Sequence, residues 1–510
     1  MLKTDPNQTE FINFYLPFNG RLKASNRWSK LSQLVPWDLV ERCYAESFAR
    51  TGMGAPAKSG RIAYGALLIK ERLGITDEET VEQVMENPYL QYFLGLNELQ
   101  EKPLFDPSMM VHFRSRFSAK HHQLINSKII GEATGSVAEE APASQGDLSD
   151  SNTPPNSGKL LVDATCVPAD IKYPTDLGLL NEAREKTEAV IDQFHCWMTE
   201  AAGLAQKKAR TYRQKARQQY LSVAKQKKPG AKKIRKAIGQ QLNYLKRNLG
   251  HIAGMTQSHP GMLNCLSNYD YKCLLVTHTL YEQQRQMHTQ RVHSVPDRIV
   301  SISQPHVRPI VRGKAGKKVE FGAKISISHQ KEGYVSLDTL RWDAYNESSD
   351  LPDQIEAYKR RFGYYPSSVH ADTIYRTREN GKYCKDLGIR MSGKPLGRPK
   401  KQTDENKSEL KAQKLSQRQD EHDRIPVEGK FGNCKRKGTL GRIMAKLSHT
   451  SESVIHVGII VLNLDKRLKA VLFSLLRHAF LLCHRTRRPA CVFLPDFTLA
   501  NHAHERRLAA

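Results

Sequence analysis

The feature that most constrains how this chain folds is a long basic block near its middle that contains no acids. From Ala201 to Tyr269 there is no Asp or Glu, and Lys and Arg are concentrated in KKARTYRQKAR and KKPGAKKIRK. Because charges of one sign cannot neutralise one another, such a block favours a surface that faces solvent or a polyanion. We therefore predict a basic helical insertion over residues 175–300.

Three tyrosines, Tyr212, Tyr220 and Tyr244, are interspersed among the basic residues of this block. A solvated basic helix is the simplest alternative, but one-signed charge over so many residues is better explained by contacts with phosphates. We expect the block to bind the DNA backbone through its densest basic positions, which are Lys207, Lys208, Arg210, Arg213, Lys232, Lys233, Arg235 and Lys236.

The whole chain is basic and long enough for two or three domains. Among its 510 residues, Lys and Arg number 79 against 52 Asp and Glu, which gives a formal charge of +27. This excess makes nucleic acid the leading class of partner. A ribosome-associated or merely soluble basic protein is the alternative that composition alone leaves open.

The cysteines and the apolar stretches indicate a cytoplasmic protein. Nine cysteines occur without any Cys-x-x-Cys spacing, which argues against a zinc ribbon or a disulfide framework. The first residues, MLKTDPNQTEFINF, lack the pattern of a signal peptide, and the late apolar stretch 470–483 is interrupted by Arg477 and His478. We expect no membrane span and a location in the cytoplasm, associated with the nucleoid.

The N-terminal part reads as a helical domain over residues 1–130. Apolar residues recur at helical spacing from Trp37 onward, and Thr76 with Glu79 forms a capping box before a helix that Pro88 closes. Such a domain is compatible both with binding of DNA ends and with dimerisation. Residues 131–158 follow as a disordered linker, because they are rich in Ser, Pro, Gly and acids and poor in large apolar residues.

The pattern after the linker predicts an α/β catalytic domain over residues 159–480, followed by a C-terminal tail over 481–510. KLLVDATC has the character of a buried strand, and VEFGAKISIS and YVSLDTLRW alternate with a period of two around a turn at Glu332-Gly333. A helix from about Pro352, the strand PSSVHAD and a buried helix from Glu452 to Leu468 complete the domain. A mixed sheet with helices on its faces is the natural architecture.

Three acids are candidates for a metal site. Asp163 and Asp372 are each predicted at the end of a strand, and Glu428 shares one helical face with Arg424 and Lys435, at i, i+4 and i+11. Carboxylates on rigid elements can hold the two divalent ions of phosphoryl transfer, and the cations can hold phosphates. The alternative reading of the Arg and Glu is an ordinary i,i+4 ion pair on a helix.

These motifs resemble those of a known family. The Arg-x3-Glu-x6-Lys arrangement resembles the signature of the DDE transposases of bacterial insertion sequences, and HADTIYRTREN and LLVDAT resemble their second and first acidic motifs. RIAYGALLIKERLGITDEETVEQVMENPYLQYFLGL resembles the helical domain at the start of many such transposases. Two departures are visible. The family's Tyr before the Arg is replaced by Glu421 and His422, and the large insertion precedes the second acid instead of following it.

The resemblance implies a ribonuclease H-like fold, two catalytic Mg²⁺ ions for which Mn²⁺ can substitute, recognition of terminal inverted repeats, and a homodimer or higher oligomer on DNA. Asp163, Asp372 and Glu428 match the family's metal-binding catalytic acids, and Arg424 and Lys435 match its DNA-contacting residues. The implied reaction is DNA cleavage followed by transfer of the 3′ strand to target DNA. A ribonuclease H-like nuclease that does not join strands and a non-catalytic DNA-binding protein remain the alternatives.

Two further signals are weaker in specificity. Arg398, in LGRPKK, resembles the core of an AT-hook inserted into a narrow minor groove, with a basic loop as the alternative. Other acids near the candidates fall in predicted turns and are not assigned to the site: Asp170, Asp176, Asp343, Glu347 and Asp350.

Overall fold

The structure is a computed structural model. It describes residues 21–48, 56–134, 155–201, 203, 207–311, 319–329, 333–394, 397, 403, 406–437 and 439–485. The side chains of residues 201, 428, 437, 439 and 475–485 are outside this description.

Helices dominate the described part of the chain. They are α1 (Arg27–Ser32), α2 (Trp37–Ala45), α3 (Gly60–Leu73), α4 (Asp77–Glu86), α5 (Pro88–Phe93), α6 (Met109–Arg116), α7 (Ala119–Thr134), α8 (Asp176–Cys196), α9 (Arg213–Ala224), α10 (Ala231–Ser258), α11 (Asn268–Gln290), α12 (Leu351–Phe362), α13 (Arg378–Asp386), α14 (Lys407–Lys437) and α15 (Ser448–Arg485). The strands are β1 (Lys159–Pro168), β2 (Arg308–Val311), β3 (Val319–His329), β4 (Val335–Arg341), β5 (Ser368–His370) and β6 (Arg390–Met391).

The N-terminal helices begin and end at residues that satisfy their free backbone groups. The Thr76 side chain accepts a hydrogen bond from the Glu79 amide at 3.1 Å, which confirms the predicted start of α4. Gly74 ends α3 with a φ of +69°, a conformation that glycine adopts without strain. Pro88 opens α5 immediately after α4 ends, as expected of a residue suited to a first helical turn.

The core of the N-terminal helices is completed by the helix α15. Val457, Ile460, Val461, Leu464 and Leu468 of that helix are buried in the same apolar cluster as residues of α1 to α7. Their spacing of three, one, three and four residues places them on one helical stripe. The N-terminal helices and the C-terminal part of the chain therefore share one core.

Polar contacts reinforce the same interface. The Asn463 amide donates to the Asn126 side-chain oxygen at 2.7 Å, and both side chains are buried. Arg72 pairs with Asp465 at 2.8 Å. Because a buried amide that lost its partner would carry a desolvation penalty, these contacts fix the register of α15 against α7 and α3.

One mixed sheet organises the second half of the fold. Its strand order is β2-β3-β1-β5-β6, with β4 also paired to β3. β3 is antiparallel to β1, β2 and β4, while β5 is parallel to β1 and β6 is parallel to β5. The antiparallel pairing of β3 with β4 confirms the predicted hairpin, although residues 330–332 of its turn lie outside the described residues.

Helices cover both faces of the sheet. One face packs against α12 and α13 through a cluster that includes Leu160, Val162 and Ile355. The other packs against α14 and α15 through a cluster that includes Leu161, Val427 and Ile455. Alternate residues of β1 thus serve two different cores, and the predicted mixed α/β class with flanking helices is confirmed for the described residues.

The insertion between β1 and β2 is helical, as predicted. α8, α10 and α11 pack around apolar residues that include Leu180, Leu245 and Leu280. Arg184 is buried inside α8, where it pairs with Glu188 at 2.5 Å and donates to Asn181 at 2.8 Å. The insertion therefore has an apolar core of its own beside the sheet.

Two predicted boundaries differ from the helix ends in the structure. The helix α7 extends to Thr134, into the segment predicted as a linker, and α15 extends to Arg485, into the predicted tail. Residues 135–154 and 486–510 lie outside the described residues. Among the described residues no helix is long and apolar enough to cross a bilayer, and the described cysteines are free.

Candidate active site

Asp163 lies in the middle of β1, so its predicted position at the end of a strand is wrong. β1 continues to Pro168 because β3 pairs with it over that whole length, with Asp163 opposite Ile327. Gly322 permits the close approach at the far end, since a Cβ there would lie 2.0 Å from the Val167 carbonyl oxygen. A partly buried carboxylate inside a sheet is a stronger functional candidate than an acid in a turn.

Asp372 follows β5 by two residues and begins a short 3₁₀ turn over Thr373–Tyr375. Its carboxylate accepts a hydrogen bond from the Thr373 amide at 2.6 Å. The Arg424 guanidinium lies 3.6 Å from Asp372 Oδ1. Because β5 runs parallel to β1, Asp372 stands at the neighbouring strand's carboxyl end, as predicted from the sequence.

The two aspartates belong to one electrostatic site. The pKa of Asp163 is raised to about 6, chiefly by burial; the Ala164 amide and Arg424 act to lower it, and the charges of Asp372 and Glu347 act to raise it. Asp163 also accepts a hydrogen bond from that amide at 2.8 Å. A carboxyl whose charged form is destabilised by burial and by neighbouring carboxylates gains from a nearby cation.

The two predicted cations, Arg424 and Lys435, lie on one face of the helix α14, and both contact the site. Arg424 reaches Asp372, and Lys435 Nζ donates to Thr165 Oγ1 at 2.9 Å. Thr165 lies two residues after Asp163, so both side chains point to the same face of β1. Position 428 lies between the two cations, one turn after Arg424 and two turns before Lys435; the Glu428 side chain itself is outside the described part of the chain.

α14 is continuous even though Pro426, Gly429 and Gly432 lie within it. These residues disfavour a helix interior. What compensates is an apolar stripe of Val427, Phe431 and Cys434, which packs into the core on the α14 face of the sheet. Tertiary packing thus outweighs local propensity at the segment that carries the signature.

Glu347 is a residue that sequence reasoning did not assign to the site. It lies in a short 3₁₀ turn over Glu347–Asp350, as the turn prediction implied, and it pairs with Lys324 of β3. Its charge nevertheless contributes to the raised pKa of Asp163. No local signal distinguishes it from Asp343 or Asp350, because its proximity depends on how β4 returns along the sheet.

A second group that the sequence reasoning missed lies beside the aspartates. His370, Asp420 and Asp423 place ligand atoms within 4.8 Å of one another, close enough to hold a metal ion. His370 Nδ1 lies 3.6 Å from Asp420 and 4.0 Å from Asp423. Arg390 pairs with Asp420 at 2.7 Å and Lys159 pairs with Asp423, so two cations already balance the two carboxylates.

The predicted backbone-binding residues of the insertion are exposed. They are Lys207, Lys208, Arg210, Arg213, Lys232, Lys233, Arg235 and Lys236. Lys208 and Arg213 both pair with Asp192, and Arg235 donates to the His288 carbonyl at 2.8 Å. Arg398 lies outside the described residues.

Two protein-family models match the chain. Residues 369–465 match a model described as "Transposase DDE domain", which spans β5, Asp372, α14 and the start of α15. Residues 17–116 match a model described as "Transposase domain (DUF772)", which spans α1 to α6. The first match contains Asp372, Arg424, Glu428 and Lys435.

Part of the chain is also similar to a curated protein. The chain is 28% identical over 155 residues to the "Uncharacterized protein ORF8 in nfe locus" of Rhizobium meliloti, across 30% of this chain and 67% of the relative. No solved structure matches the chain.

Proposed function

We propose that this chain, a DDE transposase of the insertion-sequence type, cleaves DNA at the ends of its element and transfers the 3′ strand into target DNA. The observation that carries this proposal is that Asp163, Asp372, Arg424 and Lys435 lie where β1, the end of β5 and α14 meet. Carboxylates and cations in such a site suit a phosphodiester substrate better than a neutral one.

The donor set fits a divalent metal with hard oxygen ligands. Asp163 supplies a carboxylate within β1 and Asp372 supplies one just after the adjacent strand β5. The raised pKa of Asp163 supports this assignment, because a cation would stabilise that carboxyl in its charged form. We assign Asp163, Asp372 and Glu428 as the residues that would hold two Mg²⁺ or Mn²⁺ ions. When bound, such ions supply charge stabilisation at the attacking and leaving oxygens.

The cations of α14 are assigned to the strand being cut. Arg424 and Lys435 lie about three turns apart along one helical face, which suits two separate phosphates of a single strand. Water attacks the phosphorus at the element's end, and the 3′ oxygen leaves as a hydroxyl. That 3′ hydroxyl then attacks a phosphorus of the target, where the bond to the target strand's own 3′ oxygen breaks and that oxygen leaves. Both steps are in-line displacements, and we propose no covalent enzyme intermediate.

A ribonuclease H-like fold for the sheet domain is part of the same proposal. Its support is the mixed sheet, with β1, β3 and β4 antiparallel in succession, β5 and β6 parallel to β1, and helices on both faces. Asp163 lies on the central strand β1, and Asp372 follows the adjacent strand β5. This fold would need that arrangement to bring both acids into one site.

The remaining assignments concern DNA and assembly. We propose that the insertion contacts the DNA backbone through its exposed lysines and arginines, with Arg398 as a further contact, and that the N-terminal helices bind terminal repeats or mediate dimerisation. A homodimer or higher oligomer would then hold two ends together, in the cytoplasm at the nucleoid. The exposure of the insertion's basic residues supports this role.

The test is a reaction with supercoiled plasmid that carries the DNA flanking this protein's own coding sequence. Cleaved ends and strand-joined products with Mg²⁺ or Mn²⁺ would support a transposase. Cleavage without joining would favour a ribonuclease H-like nuclease. Cleavage that survives Asp163→Asn and Asp372→Asn would refute the site assignment, and DNA binding without any cleavage would favour a non-catalytic protein.

A further inference from the structure

Five charged or titratable side chains form a cluster where four elements of the site meet. Lys159 lies in β1, His370 in β5, Arg390 in β6, and Asp420 and Asp423 in α14. We call this group the docking cluster. Two of its elements, β1 and α14, carry Asp163 and the signature cations, and β5 leads directly into Asp372.

The contacts within the docking cluster are specific. Arg390 donates to both oxygens of Asp420, at 3.0 and 2.7 Å, and the Gly393 amide donates to Asp420 Oδ2 at 3.1 Å. Lys159 pairs with Asp423, whose other oxygen accepts from Gln419 at 3.0 Å. A bidentate guanidinium–carboxylate pair fixes orientation as well as distance.

The histidine and one carboxylate of the docking cluster are buried. His370 is fully buried and the Asp420 side chain is only 6% exposed. His370 Nε2 contacts Ser368 Oγ at 3.0 Å, while Nδ1 faces Asp420 and Asp423 without a hydrogen-bond partner among the described residues. Asp420 is therefore a buried carboxylate held by a guanidinium that is half exposed. Without that partner its charge would be uncompensated, so the pair favours the observed register of α14 against β5 and β6.

The docking cluster connects directly to the catalytic positions. Asp423 immediately precedes Arg424, His370 lies two residues before Asp372, and Lys159 lies four residues before Asp163. Resting on the proposed function, we propose that the docking cluster positions α14 so that Arg424 and position 428 face the two aspartates. Its members are positioning residues that act through Arg424, Asp372 and the helix itself.

A separate metal site in this cluster is less favoured on charge. Arg390 and Lys159 already neutralise the two carboxylates, and a divalent ion would have to displace or oppose both cations. Positioning explains the paired contacts without that cost. A metal ion that stays bound in an Asp163→Asn/Asp372→Asn protein and is lost from it when Asp420→Asn is added would overturn this choice.

The test compares two matched substitutions in the full-length protein. Asp420→Asn removes the charge in the docking cluster. Asp338→Asn is the control, because Asp338 is also buried, at 5% exposed, and pairs with Arg361 at 2.6 Å between β4 and α12, away from α14. Asp423→Asn, at an 18% exposed side chain, is a milder second variant if Asp420→Asn does not fold.

Two readouts separate positioning from general stability. Mn²⁺ affinity without DNA is measured by the paramagnetic resonance signal of the free ion, and the cleavage rate is measured at saturating end DNA. For Asp420→Asn we expect Mn²⁺ affinity and cleavage rate to fall about tenfold or more, with DNA affinity unchanged and partial recovery in Asp420→Glu. Asp338→Asn should change thermal stability alone.

The outcomes are distinguishable from failure of the proposed function. If the wild-type protein neither binds Mn²⁺ nor cleaves, the proposed function fails. If the wild-type protein does both and Asp420→Asn and Asp423→Asn match it, positioning by the docking cluster is refuted. Equal losses in Asp338→Asn would also refute it, because the effect would then be one of stability.

Discussion

Lys435 Nζ and Thr165 Oγ1 are 2.9 Å apart, so a cation of the signature helix is bonded to the strand that carries Asp163, two residues beyond it. Thr165 is buried, and its neighbour on the same face of β1 is the carboxylate itself. The contact sets where the lysine ammonium stands relative to the acid.

Thr165→Val keeps the side chain's size and removes its acceptor. We expect a loss of about 1 kcal/mol in the free energy of unfolding and a reduced cleavage rate, because Lys435 is no longer held beside β1. Lys435→Met should lose more activity than Thr165→Val, since it removes the charge as well as the contact. Cleavage by Lys435→Met at the wild-type rate would contradict the assignment of Lys435 to substrate phosphate.

The charge of the exposed insertion lysines can be tested separately from the active site. Replacing Lys232, Lys233 and Lys236 with Ala should weaken DNA binding regardless of sequence and lower the salt dependence of log K by up to about 3, roughly one for each lost phosphate contact. Titration of labelled duplex at several salt concentrations measures both. Lys128→Ala on the N-terminal helix α7 is a control that removes one charge; an effect there equal to one third of that of the triple variant would indicate that only net charge matters.

Glu71 makes the stability of the N-terminal core dependent on pH. It is 2% exposed, and burial raises its pKa from 4.5 to about 7, partly offset by Lys70 and Arg114. The folded state therefore binds the proton more tightly than the unfolded chain. Protonated Glu71 contributes up to roughly 3 kcal/mol to the free energy of unfolding. This contribution is fully present below pH 4.5 and is lost as pH rises through 7.

Glu71→Gln keeps the shape of this side chain and removes its ionisation. Chemical denaturation of the variant between pH 4.5 and 7 should show a flatter dependence of the unfolding free energy on pH than the wild type. A slope identical to the wild-type slope would show that Glu71 is already charged in the folded protein at pH 4.5.

The histidine pair at the α15 interface acts in the opposite direction. His122 and His456 stack with ring centroids 5.2 Å apart, and His122 contacts Tyr64 and Ser453 at 3.1 Å. Burial lowers the pKa of His456 from 6.5 to about 4. Stability from this pair is therefore present above pH 6.5 and is lost as pH falls through 4.

His456→Gln should remove part of that loss. Unfolding followed from pH 6.5 down to 4 is expected to show a smaller acid destabilisation in the variant than in the wild type. His449→Gln, an exposed histidine near the start of α15, is the control; an equal effect there would argue against the stacked pair as the cause.

Leu464 tests the shared core directly. It is 1% exposed and packs among the N-terminal helices. Leu464→Ala should cost about 2–5 kcal/mol of unfolding free energy and should raise hydrogen exchange in α3 and α7 as well as in α15. Leu415→Ala, at a 66% exposed position, should do neither. Faster exchange confined to α15 would mean that the N-terminal helices fold independently of it.

Several elements of the fold and of the site could be predicted from local sequence patterns. The hairpin of β3 and β4, the cap at Thr76 and the face shared by Arg424 and Lys435 depend on residues close together in the chain, where alternation, capping and helical spacing act directly. Asp372 was placed correctly for the same reason, because its strand is short and ends within two residues of it.

Long-range contacts set the features that the sequence did not reveal. Asp163 is inside its strand because β3, far along the chain, pairs with β1 to its end. The proximity of Glu347 to Asp163 and of Lys159 to Asp423 likewise depends on how distant segments return to the sheet. The periodicity of one segment does not predict which distant strand or helix that segment packs against.

The shared core also governs when the protein can become active during its synthesis. The N-terminal helices leave the ribosome first, yet part of their apolar surface is covered only by residues 457–468 of α15. A domain whose core lies within its own segment can fold as it emerges. The core of these helices is completed only when α15 has been made. The candidate active site and the N-terminal helices therefore reach their final arrangement together, once residues 457–468 have been translated. A chain truncated before these residues would expose apolar surface on its N-terminal helices.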